Sequence, residues 1–157
     1  MSMAKRVEWY LDRQGVEYRL LSHPHSRCSR ETARLAHIPE EQVVKSVLLE
    51  DERGYVVALL PASHVIAFDE LERQLHRDLE LASEREILQI FTGCEEGAVP
   101  PVGDAFGIPT IFDESLLDPS DLYLEAGDHV ELVHLNAKEF SRLFATASHA
   151  RFSHIAA

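Results

Sequence analysis

Two apolar runs, Val43–Glu50 and Tyr55–Leu60, stand on either side of Asp51-Glu52-Arg53-Gly54. β-Branched and aliphatic residues suit the half-buried, pleated surface of a strand, and a short link containing glycine turns two such runs back on each other. A β-hairpin here is the strongest local constraint in the chain, because whatever else forms must cover its apolar faces. Helical periods surround it. Val7, Tyr10 and Leu11 share one face of a predicted helix over Ala4–Arg13, which Gly15 ends. A second helix is expected from Ser29 through Ala36 and must stop before Pro39. Two more come after the hairpin, over Phe68–Leu79 and Ser83–Phe91, with apolar residues three and four apart.

Short strands are expected at Val16–Leu21, with Val16, Tyr18 and Leu20 on one face, and at Thr110–Phe112, Asp121–Glu125 and His129–Leu135. A closing helix over Ala137–Phe144 takes Asn136 as its cap. Strands and helices interspersed around a hairpin give an α+β fold: one domain over residues 1–144 with a mixed, curled, barrel-like sheet flanked by helices. Residues 145–157 have weak periodicity and are expected to fray as a tail.

Composition narrows the functional classes. The formal charge of −12 argues against a broad phosphate-binding face, since nonspecific nucleic-acid affinity comes mainly from Lys and Arg displacing counterions. Contact with only the end of a nucleic acid needs no more than a local basic rim. No apolar run approaches the roughly 20 residues of a membrane span, and Met1-Ser2-Met3-Ala4-Lys5-Arg6 leads into a polar helix, so a cytoplasmic protein without membrane contact is expected. Cys28 and Cys94 are the only cysteines and are read as reduced thiols.

Between Thr92 and Ile108 lie four glycines and two prolines, too many breakers for a helix or a central strand. Glycine opens backbone geometries closed to other residues and proline stiffens what adjoins it, so Gly93–Gly103 can present rigid amides to a carbonyl oxygen or oxyanion. An ordinary stiff surface loop has the same composition. Lys45, inside the otherwise apolar run Val43–Leu48, either faces water as an edge-strand lysine that discourages aggregation or serves a site.

Gly97-Ala98-Val99-Pro100-Pro101 resembles the Gly-x-x-x-Pro loop of the YbaK and prolyl-tRNA-synthetase-associated family of aminoacyl-tRNA deacylases. Val44-Lys45-Ser46-Val47-Leu48-Leu49 resembles that family's lysine-bearing strand, and the order of elements agrees from about Ala4 to Phe144. The resemblance implies the fold of that family and a trans-editing hydrolase. Such an enzyme cleaves the ester joining an amino acid to the tRNA 3′ end, assisted by the substrate and without metal or cofactor. It implies catalytic roles for Lys45, Gly97, Ala98 and Pro101, and substrate-binding roles for Ser46, Val99, Pro100 and His134. The implied partners are the aminoacyl-tRNA 3′ end and an aminoacyl-tRNA synthetase. Some prolyl-type members carry a functional histidine near the last strand, but His134-Leu135-Asn136 lacks the proline expected there, and His129 is equally able to face a pocket.

Two rival readings stand beside it. A non-catalytic module of the same fold would hold the tRNA end or dock on a synthetase. A metal-dependent hydrolase would draw on His23, His25 and Cys28, although their spacing matches no metal motif. Nucleophilic serine or cysteine chemistry, nucleotide-phosphate cradles and dinucleotide fingerprints have no signature here.

Overall fold

The computed structural model describes residues 3–156. Helix α1 (Lys5–Gln14) packs Val7 and Leu11 inward and ends where Gly15 turns left-handed at φ 66°. The strand after it, β1, is shorter and later than expected, Arg19–Ser22, and all of it is exposed. Val16 instead packs into the main core, and Leu20 stays at the surface because β1 is the outermost strand of its sheet. Helix α2 (Ser29–Ala36) starts after Cys28, whose side chain makes no capping bond.

The hairpin forms as expected from β2 (Val43–Asp51) and β3 (Gly54–Pro61), with Asp51 opposite Gly54. A short strand not expected from sequence, β4 (His64–Ile66), comes next. Helix α3 (Phe68–Leu75) ends short of the expected Leu79, because His76 turns left-handed at φ 55°. Leu79 then reaches a core from the adjoining loop, and β5 (Glu80–Leu81) pairs with β2. Helix α4 (Glu84–Ile90) opens with a full capping box, the Ser83 hydroxyl accepting from Glu86 N while the Glu86 carboxylate accepts from Ser83 N. The strands β6 (Thr110–Asp113), β7 (Asp121–Glu125) and β8 (Glu131–Asn136) come after it, then α5 (Ala137–Leu143), whose Asn136 side chain accepts from Glu139 N. Two further short strands, β9 (Ser148–Ala150) and β10 (Ser153–Ile155), end the described chain.

The mixed sheet runs β1-β8-β7-β2-β3-β6-β9. Among the described residues no pairing joins β1 to β9, so the sheet curls but does not close into the barrel the sequence suggested. β2 is its pivot. One edge pairs antiparallel with β3 along its length; the other pairs parallel with β7 at Val43–Val44 and antiparallel with β5 at Leu49–Glu50. Between those two ladders, residues 45–47 have no strand partner on that edge. The main core lies on the face carrying Val44 and Leu48, under α1 and α5. Two smaller clusters lie on the other face, around Leu49 with Phe152 and around Val43 with Ala33.

The segment expected to fray is part of this architecture. β9 pairs parallel with β6, and β10 pairs antiparallel with β4. Between them Phe152 is fully buried, and its amide donates to the Asp113 carboxylate at 2.9 Å. A helical or alternating pattern is absent because so few side chains of the segment enter a core. Phe152→Ala should therefore cost about 3–5 kcal/mol in chemical denaturation. A loss below about 1 kcal/mol would mean that the segment contributes little to the fold.

Candidate functional site

A cleft of about 200 Å³ opens where β2 lacks a strand partner. Its walls come from the start of α2 and the residues before it (Arg27, Cys28, Ser29, Thr32), from β2 (Val43 to Ser46), from the glycine-rich loop (Gly97, Val99), and from β7, the β7–β8 turn and β8 (Glu125, His129, Leu132). The lysine-bearing strand and the loop, far apart in sequence, thus meet.

Lys45 is half-buried and its Nζ donates to the His64 carbonyl oxygen at 2.5 Å, which uses one of three donors and leaves the others for the cleft. Burial lowers its pKa from the ordinary lysine value, and Arg30 adds to that, against the opposing pull of Cys28 and Glu40. Ser46 lines the cleft as well, but its hydroxyl donates to the Val99 carbonyl at 2.6 Å, so it ties the loop to β2.

The other side of the loop is tied to the β7–β8 turn. Glu95 N donates to Gly127 O at 2.8 Å, and His129 Nε2 lies 2.6 Å from Glu96 O. A carbonyl has no proton to give, so His129 Nε2 carries the hydrogen and its role at that nitrogen is to hold the loop. His129 is buried at φ 61°, a left-handed conformation incompatible with the strand expected from position 129. His25 adds a 2.6 Å contact to Glu95 Oε1 and packs edge-on against the His129 ring.

Held in this way, the loop leaves particular amides unused. Among the described residues neither Gly97 N nor Val99 N donates to a protein acceptor, whereas Ala98 N donates to Glu95 O at 2.9 Å. Ala98 is therefore a turn residue with a buried side chain, and its amide is not available to a ligand. Pro100 and Pro101 are buried behind the loop and do not line the cleft. Gly97 has φ 78°, and a Cβ there would meet His129 Nε2 at 3.5 Å, an ordinary contact, so the backbone angle and not space demands glycine.

His134 is not in this cleft. It lines a separate depression with Arg19 and Asp121, stacks on Tyr123 with ring centroids 4.5 Å apart, and bonds Asp121 Oδ1 at 2.9 Å. The histidine that lines this cleft is His129, which the sequence offered on equal terms with His134. Glu125, by contrast, was missed, because its place at the end of an ordinary strand carries no local mark. The residues considered for a metal are engaged separately: His23 Nδ1 bonds Pro24 O at 2.8 Å, His25 bonds Glu95, and Cys28 precedes α2. Among the described residues no group of three or more His, Cys, Asp and Glu side chains is arranged to hold a metal ion. Cys28 and Cys94 are free thiols; Cys94 lies outside the cleft lining, its pKa pushed up to about 11, chiefly by burial.

Residues 23–143 match the family described as the aminoacyl-tRNA editing domain. The proline–tRNA ligase of Thermosipho africanus is 32% identical over 81 residues, 51% of this chain and 14% of the ligase. That of Halalkalibacterium halodurans is 28% identical over 106 residues, 67% of this chain and 18% of the ligase. The chain thus spans under a fifth of the length of these relatives. A crystal structure described as a candidate trans-editing enzyme for prolyl tRNA synthetase superposes with a TM-score of 0.83 at 26% identity, covering 96% of both chains.

The clamp on the loop has a direct readout. Removing the His129 or the Ser46 hydrogen bond should free the turn whose internal bond is Ala98 N to Glu95 O. His129→Ala and Ser46→Ala should each raise amide exchange at Ala98 by about fivefold, the equivalent of ~1 kcal/mol, while amides within the hairpin stay protected. Unchanged exchange at Ala98 in both variants would show that the loop is rigid without these ties.

Proposed function

The chain belongs to the aminoacyl-tRNA editing domain family, and on that premise we propose that it hydrolyses the ester of a mischarged aminoacyl-tRNA in trans. The observation that carries this reading is the pair of unengaged amides, Gly97 N and Val99 N, on a clamped loop that shares a cleft with Lys45. Water attacks the carbonyl carbon, the carbonyl oxygen takes up negative charge, and the two amides donate to it. Donors fixed before the substrate arrives stabilise that charge without reorganising. The bond from the carbonyl carbon to the ribose oxygen then breaks, the ribose oxygen takes one proton of the attacking water, the other passes to solvent, and the amino acid leaves as a carboxylate. An aminoacyl ester is already activated, so positioning the water, with help from the vicinal ribose hydroxyl, supplies much of what remains.

Lys45 anchors the anionic side of the substrate, the phosphate next to the terminal nucleoside, with the exposed Arg27 lining the cleft just before α2 and Arg30, itself paired with Glu40 at 2.6 Å, beyond it. A local basic rim of this kind serves a tRNA end even on a chain of net charge −12. His129 supports the amides through Glu96 and acts as a positioning residue. Neither metal nor cofactor enters this scheme. The solved trans-editing candidate supports action outside a synthetase, and a cytoplasmic setting among tRNA and synthetases fits that role. No helix of the described residues is long and apolar enough to cross a membrane.

Purified protein incubated with a panel of mischarged tRNAs tests the reading: turnover of at least one ester is expected, and tight binding without turnover would make the chain a binding module instead. Lys45→Ala should lower kcat/KM by at least about thirtyfold, the equivalent of ~2 kcal/mol, with the melting temperature retained. Turnover equal to the parent would remove Lys45 from the site. Gly97→Ala should lower turnover by about a hundredfold, because alanine resists φ 78° and the amide is lost from its place. Glu96→Ala, which leaves the Glu96 carbonyl and the glycine intact, should stay close to the parent. An inactive Glu96→Ala beside an active Gly97→Ala would replace amide stabilisation with general-base catalysis by the carboxylate.

A further inference from the structure

Glu125 is the one acidic side chain among the described residues in the lining of the Lys45 cleft. It ends β7, and its Oε2 accepts three backbone hydrogen bonds from the adjoining turn: Gly127 N at 2.7 Å, Asp128 N at 3.1 Å and His129 N at 3.2 Å. These bonds fix the carboxylate in place with its side chain only 15% exposed. The other oxygen, Oε1, is 3.7 Å from His129 Nδ1, too long for a hydrogen bond.

Lys45 stands close by. The parallel β2–β7 ladder pairs Val44 with Leu124, so Lys45 and Glu125 are the next residues on adjoining strands, at the point where those strands part. Opposite charges so placed would ordinarily join, yet among the described residues no ion pair links them. Lys45 donates to the His64 carbonyl and Glu125 is tied to its own turn. Each charge is thus held apart from the other and available to something that enters between them.

We infer that Glu125 Oε1 receives the α-ammonium group of the aminoacyl moiety, an inference that rests on the proposal that the cleft takes an aminoacyl ester. The ammonium is one carbon away from the ester carbonyl. Amides on the carbonyl oxygen and a carboxylate on the ammonium would therefore grip the two polar ends of one small unit. Lys45 serves the phosphate, so the substrate's negative and positive groups meet charges of opposite sign on two neighbouring strands. A consequence is selectivity for a free amine: an aminoacyl group whose nitrogen is acylated carries no charge and leaves a largely buried carboxylate unpaired.

The test uses a short tRNA acceptor minihelix ending in a 3′-amino nucleoside that carries amide-linked alanine. The smallest chiral side chain asks least of the pocket, and the amide is not the ester the enzyme cleaves. Its affinity is compared with that of the same minihelix after N-acetylation, for the parent and for Glu125→Gln. Glutamine keeps an oxygen for the three turn amides while removing the charge. The parent should prefer the free amine by about ten- to a hundredfold, and Glu125→Gln should bring the two affinities within about threefold. A preference that survives in Glu125→Gln, a parent without preference, or a parent that binds neither minihelix would overturn the inference. Equal weakening of both minihelices by the substitution would also overturn it, as a structural or general-base role. A parent that prefers the free amine but never cleaves any ester-linked counterpart would leave the inference standing and defeat the hydrolytic reading instead.

Discussion

The parallel step between β2 and β7 spans only Val43–Tyr123 and Val44–Leu124, and the site depends on its ending there. Two bonded residues bring the strands into register; the parting of the strands immediately afterwards leaves residues 45–47 unpaired on one edge. In that gap the sheet offers a concavity in place of a continuous surface. The loop around Gly97 closes one side of it through Ser46, and the β7–β8 turn holds the same loop through His129. Were β7 to continue along β2 until it met β5, the cleft would be filled by a strand.

Local chemistry made much of the framework legible. The hairpin, the left-handed Gly15, the Ser83 start and the Asn136 cap are each decided by a few neighbouring residues, and each appears where the sequence places it. What failed were elements decided by distant partners. Leu79 left its helical period because the chain turns left-handed at His76, and beyond it Glu80–Leu81 pairs with β2. Residues after Phe144 gained order from β4 and β6, strands that no pattern within the segment reveals.

The site divides along the same line. Lys45 and the glycine-rich loop were visible as anomalies, a charge in an apolar strand and too many breakers in a row. The division of labour within the loop was not, since only the folded backbone distinguishes the engaged amide of Ala98 from the unengaged ones on either side. Glu125 looks ordinary in sequence because its carboxylate acts on the backbone of the turn that carries His129. His134, chemically as suitable, lines a different depression.

The ladders that build the cleft join segments that are remote along the chain: β2 to β7, and the loop at residue 99 back to residue 46. Closing such loops costs entropy before any contact is returned, whereas the β2–β3 hairpin needs only its own turn. Folding should therefore reach a stage at which the hairpin and the flanking helices exist while the cleft does not. Such a species carries the helices and the hairpin, while β6, β7 and the glycine-rich loop have yet to dock on the hairpin and frame the cleft.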